Sequence, residues 1–301
     1  MVRSDRMLLS RVRGRMEENV PMSRLTTFRV GGPADIVLWP ESPAELLNAG
    51  PALFSQPLTI IGGGSNILVS DKGIRGLTIM TTAWDGIQRK QNIVTCDAGV
   101  STDTLTRFCS KNALSGMEFG AGLPGTIGGA VVMNARAYGQ EISDIIDEVS
   151  FIDANGHQQI RKRKQMTFSY KQSPFQQGLC ILTSMRFRLN PSSPLSVEQR
   201  VQQNRQDRES KYQTYSPSAG CIFKNDYHKN ILAGKLIDEC GLRGKQCGDA
   251  VVSNIHANYI LNKGRATAED VLFLIKRIQQ TVYREKGIRL ETEIRMIGDF
   301  S

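Results

Sequence analysis

The sequence has no long apolar run and no recognisable export signal. No stretch of its 301 residues approaches the roughly 18 apolar residues that cross a membrane, so no membrane insertion is expected. The N-terminus is basic but has neither a long apolar core nor a small-residue cleavage site, which argues against a signal peptide. These absences predict a cytoplasmic protein.

The positions of the cysteines and histidines argue against a disulfide framework, a zinc site and a Cys–His nucleophile pair. The six cysteines include no Cys-x-x-Cys pair, which argues against a disulfide framework or a zinc site. None of the three histidines (His157, His228 and His256) is a close sequence neighbour of Cys221. A Cys–His nucleophile pair is therefore not expected.

Aromatic residues are missing from the basic clusters of the chain. The net charge of +9 is compatible either with nucleic acid or with a small, highly anionic ligand. The basic residues concentrate at 3–15, 161–164 and 200–211 without interleaved aromatics, so no platform for stacking bases is evident. The small anion is favoured, and a nucleic-acid partner has only the net charge in its support.

Hydrophobic patterning predicts a soluble chain of the α+β class. A short strand is expected before the break at 31–33, and the tail 288–297 alternates like one half-buried strand. A second strand follows that break and ends at Pro40, and the other expected strands lie at 58–61, 67–71, 76–80, 93–96, 149–153, 158–160 and 180–189. Helices are expected at 43–47, from Ser101 or Thr102 to about 112, and at 197–212, 233–240 and 267–286.

Two glycine-rich stretches, at 62–66 and 120–129, are the most unusual local feature. A flexible linker is one interpretation, but apolar residues are threaded through the longer stretch and linkers are polar. The other interpretation is a cradle of backbone amides for an anion. Ile67 and an extended-looking run follow the first stretch, which disfavours a dinucleotide fold that needs a helix there. Two such loops suit an extended pyrophosphate, such as that of FAD, better than a lone phosphate.

Three further groups of residues carry chemistry, each with a bland alternative. Cys221 precedes Lys224 and Asn225, so its thiol could exchange a proton, or it could be an inert buried cysteine. Glu291 and Glu293 share one side of the predicted tail strand with nearby arginines, or form a solvated face. The pair Tyr170-Lys171 has no role that its own sequence context assigns.

Taken together, the motifs resemble a known family. They lie at 26–34, 61–66, 120–134, 137–139, 217–225, 233–237 and 293–298, in that order. From about residue 20 to 298 the chain resembles the MurB family of UDP-N-acetylenolpyruvoylglucosamine reductases, in the compact type II form. The resemblance implies a two-subdomain FAD-binding fold of the vanillyl-alcohol-oxidase/PCMH type, with subdomains at 20–84 and 85–194. A smaller α+β substrate-binding domain would follow at 195–298.

The resemblance also implies an activity in peptidoglycan synthesis. The family reaction is the FAD-dependent, NADPH-consuming reduction of UDP-N-acetylglucosamine enolpyruvate to UDP-N-acetylmuramate. Hydride passes from flavin N5 to the enolpyruvyl C3, and a general acid protonates C2. By motif, Cys221 occupies the position of the proton donor, Glu293 that of the catalytic glutamate, and Lys171 that of a catalytic arginine.

The same resemblance assigns the remaining site residues. The cofactor-binding positions would be Gly62, Gly63, Gly64, Ser65, Asn66, Gly122, Pro124, Gly125, Thr126, Gly128, Gly129 and Asn134. The substrate-contact positions would be Tyr170, Lys224, Asn225 and Arg295.

Three positions depart from the family pattern. Cys221 replaces the usual serine and keeps a proton donor, whereas Lys171 keeps the charge of an arginine but loses its bidentate fork. Arg136 replaces a glycine and would be strained if that position has a positive φ. Two other functions stay open on the sequence: a different flavin oxidoreductase of this fold, and a flavin- or nucleotide-sugar-binding protein without turnover.

Overall fold

The computed structural model describes residues 12–211 and 216–301, except for the side chain of Ala52. Most of the basic cluster at 3–15, and Tyr212 at the end of the predicted helix 197–212, lie outside the described residues. The chain forms two compact units. Unit 1 contains the described residues up to Glu18, with Ile36–Gly63 and Gly76–Arg208, and unit 2 contains Asn19–Asp35, Gly64–Arg75 and Glu209–Ser301.

Helices and strands are mixed along the whole described chain. The helices are α1 (Pro43–Ala49), α2 (Thr102–Lys111), α3 (Ile127–Val132), α4 (Pro194–Lys211), α5 (Ala233–Glu239) and α6 (Ala268–Lys286). The strands are β1 (Gly14–Pro21), β2 (Pro33–Pro40), β3 (Leu58–Ile61), β4 (Ile67–Val69), β5 (Ile74–Met80), β6 (Ile87–Lys90), β7 (Ile93–Asp97), β8 (Leu114–Ser115), β9 (Arg136–Ala137), β10 (Gln140–Glu141), β11 (Ile146–Ile152), β12 (Gln158–Lys162), β13 (Ile181–Arg188), β14 (Asn190–Pro191), β15 (Gln246–Cys247), β16 (Ala250–Val252), β17 (Ile260–Asn262) and β18 (Arg295–Ile297).

Unit 1 is built around two sheets. One has the order β1-β2-β5-β3, with β3 and β5 parallel, and the other has the antiparallel order β12-β11-β13-β7-β6. Trp84, Phe119 and Phe187 are among its largest fully buried side chains. The indole N–H of Trp84 donates to the carbonyl of Pro40 at 2.9 Å, so the burial of this polar atom is compensated.

Helix α4 packs within unit 1 although it is very polar. Val197 and Val201 are buried together with Ala121, and residues of α4 up to Arg208 belong to unit 1. These contacts lie beyond the domain boundary predicted at residue 194. The three-domain division itself stays a prediction.

Unit 2 combines the small sheet β15-β16-β17 with α5, α6 and the parallel pair β18-β4. A capping box starts α6, because the Thr267 hydroxyl accepts from the amide of Asp270 at 3.0 Å and the Asp270 carboxylate accepts from the amide of Thr267 at 2.9 Å. The carboxylate of Asp71 accepts from the next two amides, those of Ala268 and Glu269, at 2.9 and 3.0 Å. A residue of the β4 loop thus completes the cap of a helix that begins almost 200 positions later.

Two predicted strands are wrong in the structure. Residues 26–30 form turns, because the Thr26 hydroxyl both donates to the carbonyl of Val30 and accepts from its amide, at 3.0 and 3.3 Å. In the tail, only Arg295–Ile297 is a strand. The carbonyl of Leu290 instead accepts from the side-chain amide of Gln279 at 2.9 Å, which breaks the regular ladder.

The extended run after residue 66 is confirmed as β4. Within the two described stretches of chain, no helix combines the length and apolar character that membrane crossing demands.

Candidate active site

The two glycine stretches meet within unit 1. A β-carbon on Gly63 would lie 2.7 Å from Cα of Gly125, and one on Gly62 would collide with the hydroxyl of Thr126. Atoms do not pack this closely, so neither position tolerates a side chain without backbone movement. The two loops that are predicted to share a ligand are therefore in direct contact within unit 1. Gly62 and Gly63 of the first loop lie against Gly125 and Thr126 of the second.

The amides of the longer loop have two different uses. Ile127 and Gly128 donate to the carbonyls of Val100 and Ala98 at 2.8 and 2.9 Å, so their amides hold the loop against the preceding β7–α2 connection. The amide of Gly129 donates to the Thr126 hydroxyl, which caps α3, over a long distance of 3.4 Å. Part of the expected cradle is thus used by the protein itself.

Gly129 is the position that fits an external group. It is exposed, and a β-carbon there would meet no other part of the chain closer than the Thr126 hydroxyl at 3.6 Å. Internal packing therefore does not require glycine at this position. Close approach of a bound group to the backbone does explain it, so the residues present fit a cofactor seated on this loop.

The Tyr170-Lys171 turn is attached to the C-terminal end of α3. The side-chain amide of Asn134, which is fully buried, donates to the carbonyl of Ser169 at 2.9 Å. Gln176 donates to the carbonyls of Val132 and Lys171, both at 2.9 Å. The structure thus brings the predicted carboxylate-binding turn next to the glycine loop. The assignment of Asn134 to cofactor binding stays a prediction, since its side chain holds this turn.

Lys171 has an uncommon backbone conformation. It lies at the second central position of a turn closed by reciprocal backbone bonds between Ser169 and Gln172, and its φ is +57°. Glycine or asparagine normally occupies such a position, so a lysine there costs about 1 kcal/mol or more.

The strain suspected at Arg136 is not found. Arg136 lies in β9, opposite Glu141, and has no positive φ. The left-handed conformations fall instead on Tyr138 (φ +52°) and Gly139 (φ +78°), the two residues that connect β9 to β10. Positive φ at both central residues is the geometry of a type I′ hairpin turn.

In unit 2, the Cys221 segment is held between two other pieces of chain. On one side the amide of Ile222 donates to the carbonyl of Asn258 at 2.8 Å. On the other side the amide of Glu293 donates to the carbonyl of Ile222 at 2.7 Å. Asn66 joins this group through its side-chain amide, which donates to the carbonyl of Glu293 at 3.2 Å. The predicted donor and the predicted catalytic glutamate are therefore brought to adjacent backbone positions.

The rest of the predicted unit 2 residues surround this group. The amide of Arg295 donates to the carbonyl of Asn66 at 3.0 Å, and Thr27 links Gly64 to Ser218 through backbone and hydroxyl bonds. Gly64 and Ser65 also belong to unit 2.

Lys224 and Asn225 follow Cys221 and already have protein partners. The ammonium of Lys224 pairs with the carboxylate of Glu291 at 3.0 Å, although 78% of the Glu291 side chain is exposed. The side-chain oxygen of Asn225 accepts from the amide of Ala233 at 2.9 Å, at the start of α5. Their roles as substrate contacts stay predictions.

Comparison with known proteins identifies the group to which this chain is related. Residues 34–160 match the model of an FAD binding domain, and residues 210–297 match the C-terminal domain of UDP-N-acetylenolpyruvoylglucosamine reductase. UDP-N-acetylenolpyruvoylglucosamine reductases from Agathobacter rectalis and Pediococcus pentosaceus are 40% and 39% identical, each over 94% of both chains. The crystal structure of MurB from Thermus caldophilus superposes with a TM-score of 0.82 at 31% identity, over 95% of this chain and 100% of that one.

The chain belongs to the MurB family of UDP-N-acetylenolpyruvoylglucosamine reductases. The family resemblance and the fold class drawn from the sequence are both confirmed. This MurB-family chain has an FAD binding domain followed by the C-terminal domain of the reductase family, with helices and strands mixed throughout the described residues. It is an FAD-dependent oxidoreductase.

Asn258 is a residue of this MurB-family site that the sequence did not reveal. Its side chain accepts from the amide of Phe223 and donates to the carbonyl of the same residue, at 2.9 and 2.8 Å, as a neighbouring strand would. The amide of Asn258 in turn donates to Nδ1 of His256 at 3.2 Å. Burial lowers the pKa of His256, with a smaller contribution from the positive charge of Arg243. No local motif marks these residues, because the contact spans 35 positions.

The buried cysteines differ from Cys221. Burial raises the pKa of the Cys109 thiol to about 12, and it raises the pKa of Cys96 well above its usual value. Both thiols therefore stay protonated at neutral pH within the apolar core of unit 1. Cys221 is only half-buried, as are Cys180, Cys240 and Cys247.

Proposed function

We propose that this chain reduces the enolpyruvyl double bond of UDP-N-acetylglucosamine enolpyruvate to give UDP-N-acetylmuramate. NADPH is the reductant, and the reaction serves peptidoglycan synthesis in the cytoplasm. The observation that carries the proposal is the match to reductases of this name over 94% of both chains. The contact between the two glycine loops and the open position at Gly129 support FAD as the cofactor.

The cofactor would lie on the loop around Gly125 and Gly129, with the second loop packed behind it. Bound FAD supplies a hydride carrier between NADPH and C3 of the enolpyruvyl group. The protein's part is to orient the ring system and to exclude water. Gly62, Gly63, Gly122, Pro124, Thr126 and Gly128 shape this loop in unit 1. Gly64, Ser65 and Asn66 belong to unit 2, and their assignment to cofactor binding stays a prediction.

Cys221 is the proposed proton donor. Addition of hydride at C3 leaves negative charge on C2, the carbon that bears the carboxylate, and this charge must be neutralised by a proton. The S–H bond of Cys221 breaks as the C2–H bond forms, and solvent later returns the proton to the thiolate. Backbone bonds to Asn258 and Glu293 fix the segment that carries the thiol, so its proton can be held at one position.

A positively charged side chain would stabilise the same developing negative charge. Lys171 is proposed to face the substrate carboxylate, and its strained backbone supports a role for the ammonium. Glu293 is the proposed catalytic glutamate, and its backbone lies beside the Cys221 segment in unit 2. Tyr170 is a proposed substrate contact in unit 1. Lys224, Asn225 and Arg295 are proposed substrate contacts in unit 2, with Lys224 sharing its ammonium between Glu291 and a phosphate of the substrate.

The test is a pair of half-reactions on the purified protein. Stopped-flow absorbance should show flavin bleached by NADPH and restored by the enolpyruvyl substrate, whose product is heavier by two hydrogens in mass spectrometry. A protein that carries no flavin after gentle purification and binds none when FAD is added would refute the proposal. Flavin that NADPH reduces but the enolpyruvyl substrate does not reoxidise would refute the assigned substrate.

A further inference from the structure

The face of α4 that packs within unit 1 is mostly polar. Beyond Val197 and Val201, the residues that point to unit 1 recur at helical spacing as Arg200, Asn204 and Arg208. All three contact the segment 118–121, which leads directly into the glycine loop. A helix held mainly by specific polar contacts positions its partner more precisely than apolar packing alone would.

Arg208 is the most buried of these polar residues. Only 8% of Arg208 is exposed. An arginine is rarely buried to this extent unless its guanidinium has partners in the protein. Its Nε donates to the carbonyl of Ala121 at 3.0 Å and its Nη2 to the carbonyl of Phe119 at 3.3 Å. A charged donor thus holds the carbonyl of Ala121, which immediately precedes Gly122, and the carbonyl of Phe119, two residues before Ala121.

The other contacts of Arg208 lie on both sides of this loop. A β-carbon on Gly122 would come within 3.3 Å of Cδ of Arg208, so the glycine lets the loop lie against the arginine stem. The guanidinium carbon lies 5.5 Å from the ring centroid of Tyr138, which is a cation–π distance. The Tyr138 hydroxyl donates to the carbonyl of Asn204 at 2.9 Å, which ties the β9–β10 turn to α4.

We infer that Arg208, together with Tyr138, is a positioning residue that sets the shape of the glycine loop for FAD. The inference rests on the proposed seat of FAD on residues 122–129. Arg208 acts through the carbonyls of Phe119 and Ala121, which fix where Gly122 begins and therefore where the amides that follow are directed. A loop that is already held in its binding conformation binds its ligand more tightly, because ordering the loop then takes nothing from the binding free energy.

Arg200 provides a matched comparison on the same helix. Its Nη2 lies 2.8 Å from the buried carboxylate of Glu118, two turns before Arg208 and further from Gly122. Its side chain is 47% exposed. Loss of Arg200 should therefore weaken the docking of α4 without altering the start of the glycine loop.

The experiment compares full-length Arg208→Gln, Arg208→Lys and Arg200→Gln with the wild type. Each protein is stripped of flavin and titrated with FAD, and the visible circular dichroism of the bound flavin is recorded. Arg208→Gln should weaken FAD binding about tenfold or more and change the flavin dichroism. Arg208→Lys should lie between it and the wild type. Arg200→Gln should unfold at a lower temperature with an unchanged affinity and spectrum.

Tyr138→Asn keeps the inference testable if Arg208→Gln does not fold. Asparagine tolerates the positive φ at this exposed turn, and it removes both the ring above the guanidinium and the hydroxyl bond to the carbonyl of Asn204. It should weaken FAD binding a few-fold, in the same direction. A folded Arg208→Gln or Tyr138→Asn with the affinity and dichroism of the wild type would overturn the inference. A wild-type protein that binds no FAD would overturn the proposed function instead.

Discussion

Gly63 and Gly125 are in such close contact that a single added carbon on Gly63 would come within 2.7 Å of Cα of Gly125. The obstacle is backbone, which cannot move aside as a flexible side chain can. This contact makes the two loops one structure, and it separates glycines needed for packing from a glycine needed for a ligand.

Gly63→Ala and Gly129→Ala should therefore fail in different ways. Gly63→Ala should lower the free energy of unfolding by about 1–3 kcal/mol and weaken FAD binding, because the loops must part. Gly129→Ala should leave stability unchanged or raise it by up to about 1 kcal/mol, because alanine favours helix α3, while FAD binding weakens about tenfold or more. Urea unfolding of the flavin-free protein and FAD titration measure the two effects. Normal FAD affinity in Gly129→Ala would show that the cofactor does not approach this backbone.

Cys221 provides a test of proton donation alone. Cys221→Ala should leave flavin reduction by NADPH intact and slow the reaction with the enolpyruvyl substrate about 100-fold or more. Cys221→Ser, which restores a donor of similar size, should be within about tenfold of the wild type. Stopped-flow traces of each half-reaction measure both rates. Normal turnover by Cys221→Ala would mean that another group protonates C2.

Replacing Lys171 by glycine should change stability and activity in opposite directions. Lys171→Gly should raise the free energy of unfolding by about 1 kcal/mol, because glycine accepts a φ of +57° without strain, and should lower kcat/KM about 100-fold through loss of the charge. Lys171→Arg should keep most of the activity. Gln91→Gly is the matched control, since Gln91 has a φ of +56° at an exposed turn, and it should gain stability with no loss of turnover. An active Lys171→Gly would remove Lys171 from the mechanism.

His256 should make unit 2 sensitive to mild acid. Its neutral Nδ1 accepts from the amide of Asn258, and burial holds its pKa below the ordinary value of 6.5. The unfolded chain therefore takes up this proton at a higher pH than the folded one. The associated stability is complete above about pH 6.5 and is lost as the pH falls through the folded pKa.

Urea unfolding at a series of pH values on either side of 6.5 measures this dependence. His256→Gln, which cannot titrate, should flatten the slope in that window while leaving the contribution of the carboxyl groups at lower pH. An identical pH dependence in the variant would assign the effect to other groups.

Local signals in the sequence were reliable where the structure is decided locally. Helix starts were expected at Ser101 or Thr102 and at residue 267, and the structure has Ser101 and Thr267 as the capping residues. The prediction of a strand at 26–30 failed although its residues suit strands, because the hydroxyl of Thr26 satisfies the backbone of Val30 and removes the need for a partner strand.

Parts of the candidate site were beyond the sequence because they depend on distant contacts. The two glycine loops could be found from composition, but their direct contact follows from the packing of unit 1. Arg208 lies among charged neighbours on a helix that reads as entirely exposed, and only the fold shows it buried against Ala121. Asn258 belongs to no sequence motif. That its side chain bonds the backbone of Phe223 can be seen only in the folded chain.

The division of unit 2 into three separated stretches has a consequence for its biosynthesis. Among the strands of residues 12–211 and 216–301, β4 pairs only with β18, and the side-chain amide of Asn66 donates to the carbonyl of Glu293, 227 positions later. A nascent chain that has emerged from the ribosome as far as α5 therefore holds β4 and Asp71 without their partners. Contacts of such long range form slowly, so the early stretches must wait, with Phe28 and Leu68 uncovered, until the last helix and strand have been made.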